Sequence, residues 1–251
     1  MPDDDEGDRS SQERDLESSL RDLAGLSMAG QPLEESLTRV ALLAVRAIPG
    51  ADGAGLTLLE SGRPDTIVTT SDFVAEVDAI QYGLGQGPCI DAAALGTTVV
   101  SGSLGGDHRW VRFGSRVARL GVHSAVSLPL LVGPEVVGAL NVYARDKHVF
   151  DDRAASLGEV FAVPAAIAVQ NAHVLAQAVR LAQRLGSSLE ERSVVDQAVG
   201  IMLARSGGTP AEALERLRTL SQHQHTKMSA LARTIVDEAV RRSRARHTEH
   251  E

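Results

Sequence analysis

Few side chains in this sequence could carry redox or metal chemistry. The chain has one cysteine, Cys89, which follows a glycine-rich turn at the predicted start of a short helix. A thiol at a helix start can have a lowered pKa and act as a redox-sensing thiolate. The alternative, which we favour, is a small buried hydrophobic residue. A single cysteine excludes an internal disulfide and a cysteine-cluster metal site.

Histidine-based metal binding and enzyme catalysis are not indicated either. His108 and His123 have no recognised metal-ligand spacing with Cys89. His223 and His225 stand two residues apart, which points them to different faces of a helix. There is no phosphate-binding loop, nucleophile elbow, or HD-like or GGDEF-like signature. We therefore expect no metal site and no enzyme activity.

Charge is unevenly distributed along the chain. The 251 residues have a net charge of −8, but residues 187–251 hold ten Lys and Arg against nine Asp and Glu. The rest holds fifteen against twenty-four, an asymmetry that hints at nucleic-acid binding by the C-terminal part. The acidic start is unlike a signal peptide, and no run approaches the about 18–20 consecutive apolar residues of a membrane span. We expect a cytoplasmic protein that contacts no membrane.

The apolar pattern predicts an antiparallel α+β domain over residues 15–170. Residues 1–14 are charged and lack large apolar side chains, so we expect a disordered acidic tail. Two helices are predicted next, and then the strands GAGLTLLE and DTIVTTS. Further on, HSAVSLPLLV and VVGALNVYAR are joined by GPE, which predicts a β-hairpin.

A long helix is predicted to begin at about Arg153. Apolar residues then recur at multiples of seven, although three polar residues also fall on the predicted seam, Ser188, Asn171 and Arg192. The apolar members of this pattern are Ile167, Val174, Leu181 and Val195. One interpretation is a long surface helix. We favour a parallel coiled coil over residues 171–188 that links two modules and makes the chain a homodimer.

Three short capped helices are predicted over residues 189–242. Ser188 with Glu191, and Thr209 with Glu212, have the spacing of capping boxes at the first two helix starts.

The third of these helices is predicted to be capped by Ser229. Residues 243–251, which contain part of the arginine-rich stretch RRSRARH, are expected to be a basic flexible tail.

Several motifs of the first domain occur in a familiar order: QYGLGQGPC, HRW, SLPL and GALNV. In these motifs the chain, over about residues 16–178, resembles the GAF domains of actinobacterial signalling proteins. The resemblance implies a central antiparallel sheet with helices on one face and loops over a ligand pocket on the other. Known GAF ligands include cyclic nucleotides, haem and small metabolites, so the ligand and any cofactor stay unidentified. We expect the pocket to involve Gln86, Cys89, Trp110, Asn141 and Tyr143.

The C-terminal segments RSVVDQAVGIMLARSGGTPAEALERLR and TKMSALARTIV carry a second resemblance. Over about 55 residues they are similar to the ANTAR domain, the RNA-binding output module of bacterial antitermination regulators. Such domains bind paired RNA hairpins and prevent a transcription terminator from forming. The family often has a basic residue where Val199 stands and an aromatic residue where Leu214 stands.

Gly200 lies inside a predicted helix, where alanine would be more stable by about 1 kcal/mol. We favour close packing against a neighbouring helix as the reason; the alternative is exposed backbone that an RNA loop can reach. The resemblance implies an RNA-binding face in which cations contact phosphates. We expect it to comprise Gly200, Arg205, Arg218, Lys227 and Arg233.

Together these features predict a one-component regulator. A GAF sensor with a small-molecule ligand would control an ANTAR bundle that binds hairpin pairs in nascent RNA, with RNA polymerase in the elongation complex as a further partner. One alternative is a dimeric interaction scaffold with a degenerate output bundle. Another is a DNA-binding regulator, although the third predicted helix offers few base-reading side chains.

Overall fold

The computed structural model describes residues 3–27, 30–60 and 63–248 of the chain. The chain divides into two compact units, residues 1–176 and 177–251. One long helix, Asp152–Ser206, contributes residues to both units.

Five antiparallel strands form the sheet of the first unit. Their order across the sheet is β2-β1-β5-β4-β3, and every neighbouring pair is antiparallel. The predicted antiparallel α+β fold and the β4–β5 hairpin are confirmed. The strands are β1 (Gly53–Glu60), β2 (Arg63–Thr69), β3 (Val99–Ser101), β4 (Ser124–Val132) and β5 (Glu135–Ala144).

Helices cover both faces of this sheet, and the second unit is also built from helices. On one face α1, α2 and the start of α6 enclose a core of Leu and Val side chains, and on the other α3, α4 and α5 enclose a second core around Phe113 and Tyr143. The resemblance implied loops on that second face; the structure also places short helices there. The helices are α1 (Asp3–Ala24), α2 (Leu33–Ala47), α3 (Asp72–Leu84), α4 (Pro88–Leu95), α5 (Val111–Val117), α6 (Asp152–Ser206), α7 (Pro210–His223) and α8 (Met228–Thr248).

The predicted disordered tail is wrong for the described part of residues 1–14, because α1 begins at Asp3. Later residues of the same helix, Leu16 and Leu23, are buried in the core and hold it against the domain. The polar half is held by Arg153, whose guanidinium donates to Gln12 at 3.0 Å and to Glu13 at 2.9 Å. These contacts join residues about 140 positions apart, which a local pattern cannot reveal.

The long helix α6 is continuous over 55 residues, so no helix begins at Ser188. The Ser188–Glu191 capping box is therefore wrong: no glycine–glycine or proline break precedes it, and the apolar seam continues through it. The capping box of Thr209 and Glu212 is confirmed, with both reciprocal hydrogen bonds present.

The other C-terminal boundaries also differ from expectation. Helix α8 begins at Met228, so Ser229 lies inside it rather than capping it. The tail predicted as flexible from residue 243 is helical through Thr248, because alanine and arginine favour helix and nothing interrupts the helix before that point. Residues 249–251 lie outside the described part of the chain.

Within the described residues, α6 is the one helix long and apolar enough to cross a membrane by length and composition. An 18-residue window has a mean hydropathy of 1.3, but 39% of that window is buried inside the protein. Phe161, Ala165 and Val169 of this helix are fully buried against the sheet. Core packing accounts for this part of its apolar composition.

Replacing Arg153 by glutamine should loosen the start of α1. Amide exchange in the first half of α1 should become about two- to fivefold faster, because partly exposed ion pairs contribute up to about 1 kcal/mol. Hydrogen exchange with peptide resolution measures this. Arg180→Gln, a matched change at an exposed position of α6, serves as the control, and unchanged exchange in α1 would mean that Arg153 does not hold the start of the helix.

Candidate sensor site and nucleic-acid interface

The sheet has one polar row on the face that packs against α3. In the strand register, Asn141 of β5 is paired with Gly55 of β1 on one side and with Ser127 of β4 on the other. Because side chains alternate along a strand, these residues point to the same face. The Ser127 hydroxyl donates to Asn141 Oδ1 at 2.9 Å, and both residues are fully buried.

Asp78 of α3 lies directly over this row. Its Oδ1 accepts a hydrogen bond from the Tyr143 hydroxyl at 2.6 Å and a longer one from Asn141 Nδ2 at 3.5 Å. A Cβ on Gly55 would lie 2.2 Å from Asp78 Oδ2, so only glycine leaves room for this carboxyl. Oδ2 is buried and has no hydrogen-bond partner within the described chain.

A second chain of polar groups continues from β1 to the start of α4. The hydroxyls of Thr57 and Tyr82 lie 2.6 Å apart, and the Tyr82 hydroxyl lies 3.1 Å from Cys89 Sγ. The Cys89 amide donates to Gln81 Oε1 at 3.0 Å, while Gln81 Nε2 is buried without a partner in the described residues. We call the residues of both chains the buried polar network: Thr57, Asp78, Gln81, Tyr82, Cys89, Ser127, Asn141 and Tyr143.

Burial dominates the electrostatics of this network. It raises the pKa of Asp78 to about 7, against the lowering effect of hydrogen bonds from Tyr143 and Asn141. Burial likewise raises the pKa of the Cys89 thiol to about 11. The redox-sensing alternative for Cys89 required a lowered pKa, which the structure contradicts, so Cys89 is a buried thiol as we favoured. Among the described residues, no group of three or more His, Cys, Asp or Glu could hold a metal ion.

Three of the five predicted pocket residues meet in the buried polar network, namely Cys89, Asn141 and Tyr143. Trp110 lies beside it in the apolar core, where its indole nitrogen donates to Asp91 at 2.8 Å. Gln86 is half-buried in the turn between α3 and α4 and makes no side-chain hydrogen bond among the described residues. Whether any of the five binds a ligand stays a prediction.

The loop before α5 is fastened next to Trp110. The Arg109 guanidinium lies 4.2 Å from the Trp110 ring centre and donates to the carboxylate of Asp107 and to the Val100 carbonyl. Its hydrogen bond is the main reason that the pKa of Asp107 is lowered to about 2. Unlike Asp78, this carboxylate is matched by a cation.

Sequence reasoning missed Asp78 and Gln81. A signal was present, because both stand on the buried stripe of α3 with Val74 and Val77, where charged and amide side chains are rare. A carboxylate in the apolar stripe of an amphipathic helix could therefore have been singled out. Its partner Tyr143, 65 residues away, could not have been identified from that pattern.

The second unit contains a small apolar core shared by α6, α7 and α8. Its buried members are Val195, Ala198, Leu217 and Ala232. Val199 and Leu214, the two positions that depart from the family pattern, are half-buried and pack against this core.

Gly200 does not support the interpretation that we favoured. Nothing lies within 4 Å of where its Cβ would be, and the residue is exposed. Close packing within the chain is therefore wrong as the reason for this glycine, and exposed backbone remains. The cations predicted with it are all exposed: Arg205, Arg218, Lys227 and Arg233.

These cations differ in their surroundings. Arg218 is paired with Glu215 at 2.9 Å. Arg205 and Arg233 make no ion pair among the described residues, and Lys227 lines an open groove together with Arg192, which sequence reasoning treated only as a seam position. The five residues are not joined in one cluster by any contact in the described chain, and their role in RNA binding stays a prediction.

The first unit is an α+β domain with a buried polar network, and the second is a helical bundle that shares helix α6 with it. The GAF domain family model matches residues 30–170, and the ANTAR domain model matches residues 183–236. The chain belongs to the GAF domain family and carries an ANTAR domain, the arrangement of a GAF–ANTAR regulator. No curated protein matches it.

Solved structures show the same fold for the first unit. The GAF domain of a phosphoenolpyruvate-protein phosphotransferase from Coxiella burnetii is 16% identical with a TM-score of 0.52, over 67% of this chain and 98% of that chain. The corresponding domain from Acinetobacter is 14% identical with a TM-score of 0.50, over 66% and 97%. Free methionine-R-sulfoxide reductase from Neisseria meningitidis is 17% identical, over 65% and 91%, with a TM-score of 0.49. The shared fold is argued from the two phosphotransferase domains, with TM-scores of 0.52 and 0.50, and at these identities the likeness concerns the fold alone.

The raised pKa of Asp78 predicts a pH-dependent stability. Between about pH 4 and 7 the folded chain keeps a proton that the unfolded chain has lost, so the free energy of unfolding should fall as pH rises, by up to about 1.4 kcal/mol per pH unit. Asp78→Asn should remove this part of the slope. Urea unfolding at several pH values measures it.

The control for this prediction is Glu76→Gln, on the exposed side of the same helix. It should keep the wild-type slope. An Asp78→Asn chain with the full wild-type slope between pH 4 and 7 would show that Asp78 titrates normally in the folded protein.

Proposed function

We propose that this chain is a cytoplasmic, signal-responsive homodimer whose ANTAR module binds hairpin pairs in nascent RNA and so prevents transcription termination. The GAF domain receives a small-molecule signal at the buried polar network. RNA polymerase in the elongation complex is the partner on which this binding acts, and no enzyme activity is part of the proposal.

One observation carries the proposal: a single helix belongs to both modules and presents an uncovered apolar seam. Between the two ends, Ile167, Val174, Leu181 and Leu185 are each 52–58% exposed. A row of such side chains at heptad spacing is typical of a helix that pairs with a copy of itself. Asn171 and Ser188 on the seam would favour one register over others.

Strand β5 offers a route by which a signal can reach this helix. Asn141 and Tyr143 belong to the buried polar network, while Leu140 and Val142, which alternate with them, pack in the core that contains the first turns of α6. A ligand that binds two conformations of the GAF domain with different affinity would shift β5 and thereby α6. Packed cores transmit such shifts because they deform little.

Dimerisation fits the tandem nature of the RNA target. Two bundles on one dimer can engage two hairpins, and the second contact then benefits from a high effective concentration. A change in α6 geometry would alter whether both bundles reach their hairpins at once. The signal would thus change the affinity for the RNA pair rather than the affinity for one hairpin.

The proposed RNA-binding face can be tested with Arg205 and Arg233, both of which are exposed. Arg205→Ala combined with Arg233→Ala should lower the affinity of the full chain for a paired-hairpin RNA about tenfold and reduce the salt slope, because fewer counterions are released. Fluorescence anisotropy across a salt series, with a loop-scrambled RNA and a duplex DNA as competitors, measures this.

A matched control removes two exposed arginines from the GAF domain, Arg112→Ala with Arg116→Ala. It should leave RNA affinity unchanged. Equal, salt-sensitive binding of the wild-type chain to all three nucleic acids would refute loop recognition, and preferential binding to the duplex DNA would favour a DNA-binding regulator.

The coiled coil is tested by placing charge on the seam. Leu181→Lys with Leu185→Lys should convert a dimer into a monomer, because two lysines from each chain would face each other in an apolar interface. Gln183→Lys with Ser187→Lys adds the same charge at the same spacing but off the seam, and should stay dimeric. Sedimentation equilibrium decides; a seam variant that sediments as the control does would rule out this interface.

A further inference from the structure

An open groove of about 640 Å³ lies within the helical bundle, at the point where α6, α7 and the start of α8 meet. Its apolar lining includes Val195, Leu214 and Met228, all of which are buried or half-buried in the bundle core. A volume of this size lies within the range of small-ligand sites, about 300–1,000 Å³. Lys227 is the one member of the predicted RNA-binding face that lines this groove.

Four charged side chains line the same groove without neutralising one another. They are the cations Arg192 and Lys227 and the carboxylates Glu191 and Asp196. None of the four makes an ion pair or a side-chain hydrogen bond among the described residues, although opposite charges line one concave surface. Elsewhere in the bundle, Arg218 and Arg242 are paired with carboxylates on their own helices.

This combination suits an unstacked nucleobase. An apolar floor accepts the face of a base, and bases of hairpin loops are splayed out and recognised by stacking and by their edges. Carboxylates accept hydrogen bonds from exocyclic amino groups, which uracil lacks. Cations beside the pocket match the phosphates that flank the base.

We propose that the groove between α6, α7 and α8 binds one extruded loop base that carries an exocyclic amino group, with Glu191 or Asp196 accepting from that group and Arg192 and Lys227 contacting the adjoining phosphates. This inference rests on the proposed RNA-binding function and adds to it a defined base site. Leu214 then forms the floor at the position where related domains often have an aromatic residue, so the base stacks on an aliphatic surface.

Filling the groove tests its use. Ser229, which lines the groove, and Ser243, which does not, both lie on α8 and away from the coiled-coil seam. In the full-length chain, Ser229→Trp should reduce affinity for a paired-hairpin RNA at least tenfold, to the level of a loop-scrambled RNA, while Ser243→Trp should bind as the wild type does. Far-ultraviolet circular dichroism checks that both variants keep their helix content.

The carboxylates are tested by base identity. Each loop position of the hairpin is replaced in turn by uridine; at one position the wild-type chain should lose about tenfold in affinity. Glu191→Ala with Asp196→Ala should lose this discrimination, whereas Glu190→Ala with Asp237→Ala, an equal change of charge outside the groove, should keep it. Arg192→Ala against Arg184→Ala separates a phosphate contact in the groove from general loss of positive charge.

The outcomes separate the two proposals. Absence of loop-dependent binding by the wild-type chain overturns the RNA-binding function and the groove assignment with it. Loop-dependent binding that both tryptophan variants reduce equally, or discrimination that survives loss of both groove carboxylates, overturns the groove assignment alone.

Discussion

Strand β5 is buried on both faces, and the rest of the first domain is arranged around that constraint. One face of the strand presents Leu140 and Val142 to the core beneath α2 and α6, and the other presents Asn141 and Tyr143 to α3 and α4. Because the second face is buried as well, the polar side chains on it must find hydrogen-bond partners within the protein. Gly55 on β1 leaves room for Asp78, and Ser127 on β4 is itself a partner of Asn141.

Asp78 fills this space with a carboxyl group, and burying that group costs free energy. Asp78 is buried and faces Tyr143, Tyr82 and Cys89, none of which is a cation. Hydrogen bonds from Tyr143 and Asn141 stabilise the ionised form, but burial outweighs them, so the carboxyl keeps its proton up to about neutral pH. A leucine of similar size would avoid this cost. Perturbed groups of this kind concentrate at functional sites, which supports the buried polar network as the proposed place of signal reception.

Much of the fold could be predicted because its signals are local. Alternating strands, the GPE turn and the Thr209 capping box each depend on residues close in sequence. The features that were missed depend on residues far apart: α1 is helical beside Arg153, about 140 residues away, and Asp78 meets Tyr143 across 65 positions. The Ser188 capping box failed for the opposite reason. Its local pattern was correct, but capping requires a helix to begin there, and continuous helix on both sides overrides the cap.

Gly200 and the groove residues point to the same conclusion about the bundle. A glycine in the middle of a helix, with open space around it, costs stability without any packing benefit within the chain. Four charges in one groove form no ion pair within the part of the chain that the structure describes, while other charges of the same bundle form short-range pairs, so they also forgo available stabilisation. As with the buried carboxyl of Asp78, such departures from local stability are expected where a ligand or partner must bind. Gly200 and the groove charges both lie on the small bundle rather than on the sensor domain. They favour the proposed RNA partner, whose unstacked loop bases would use exposed backbone, apolar floor and mixed charge together.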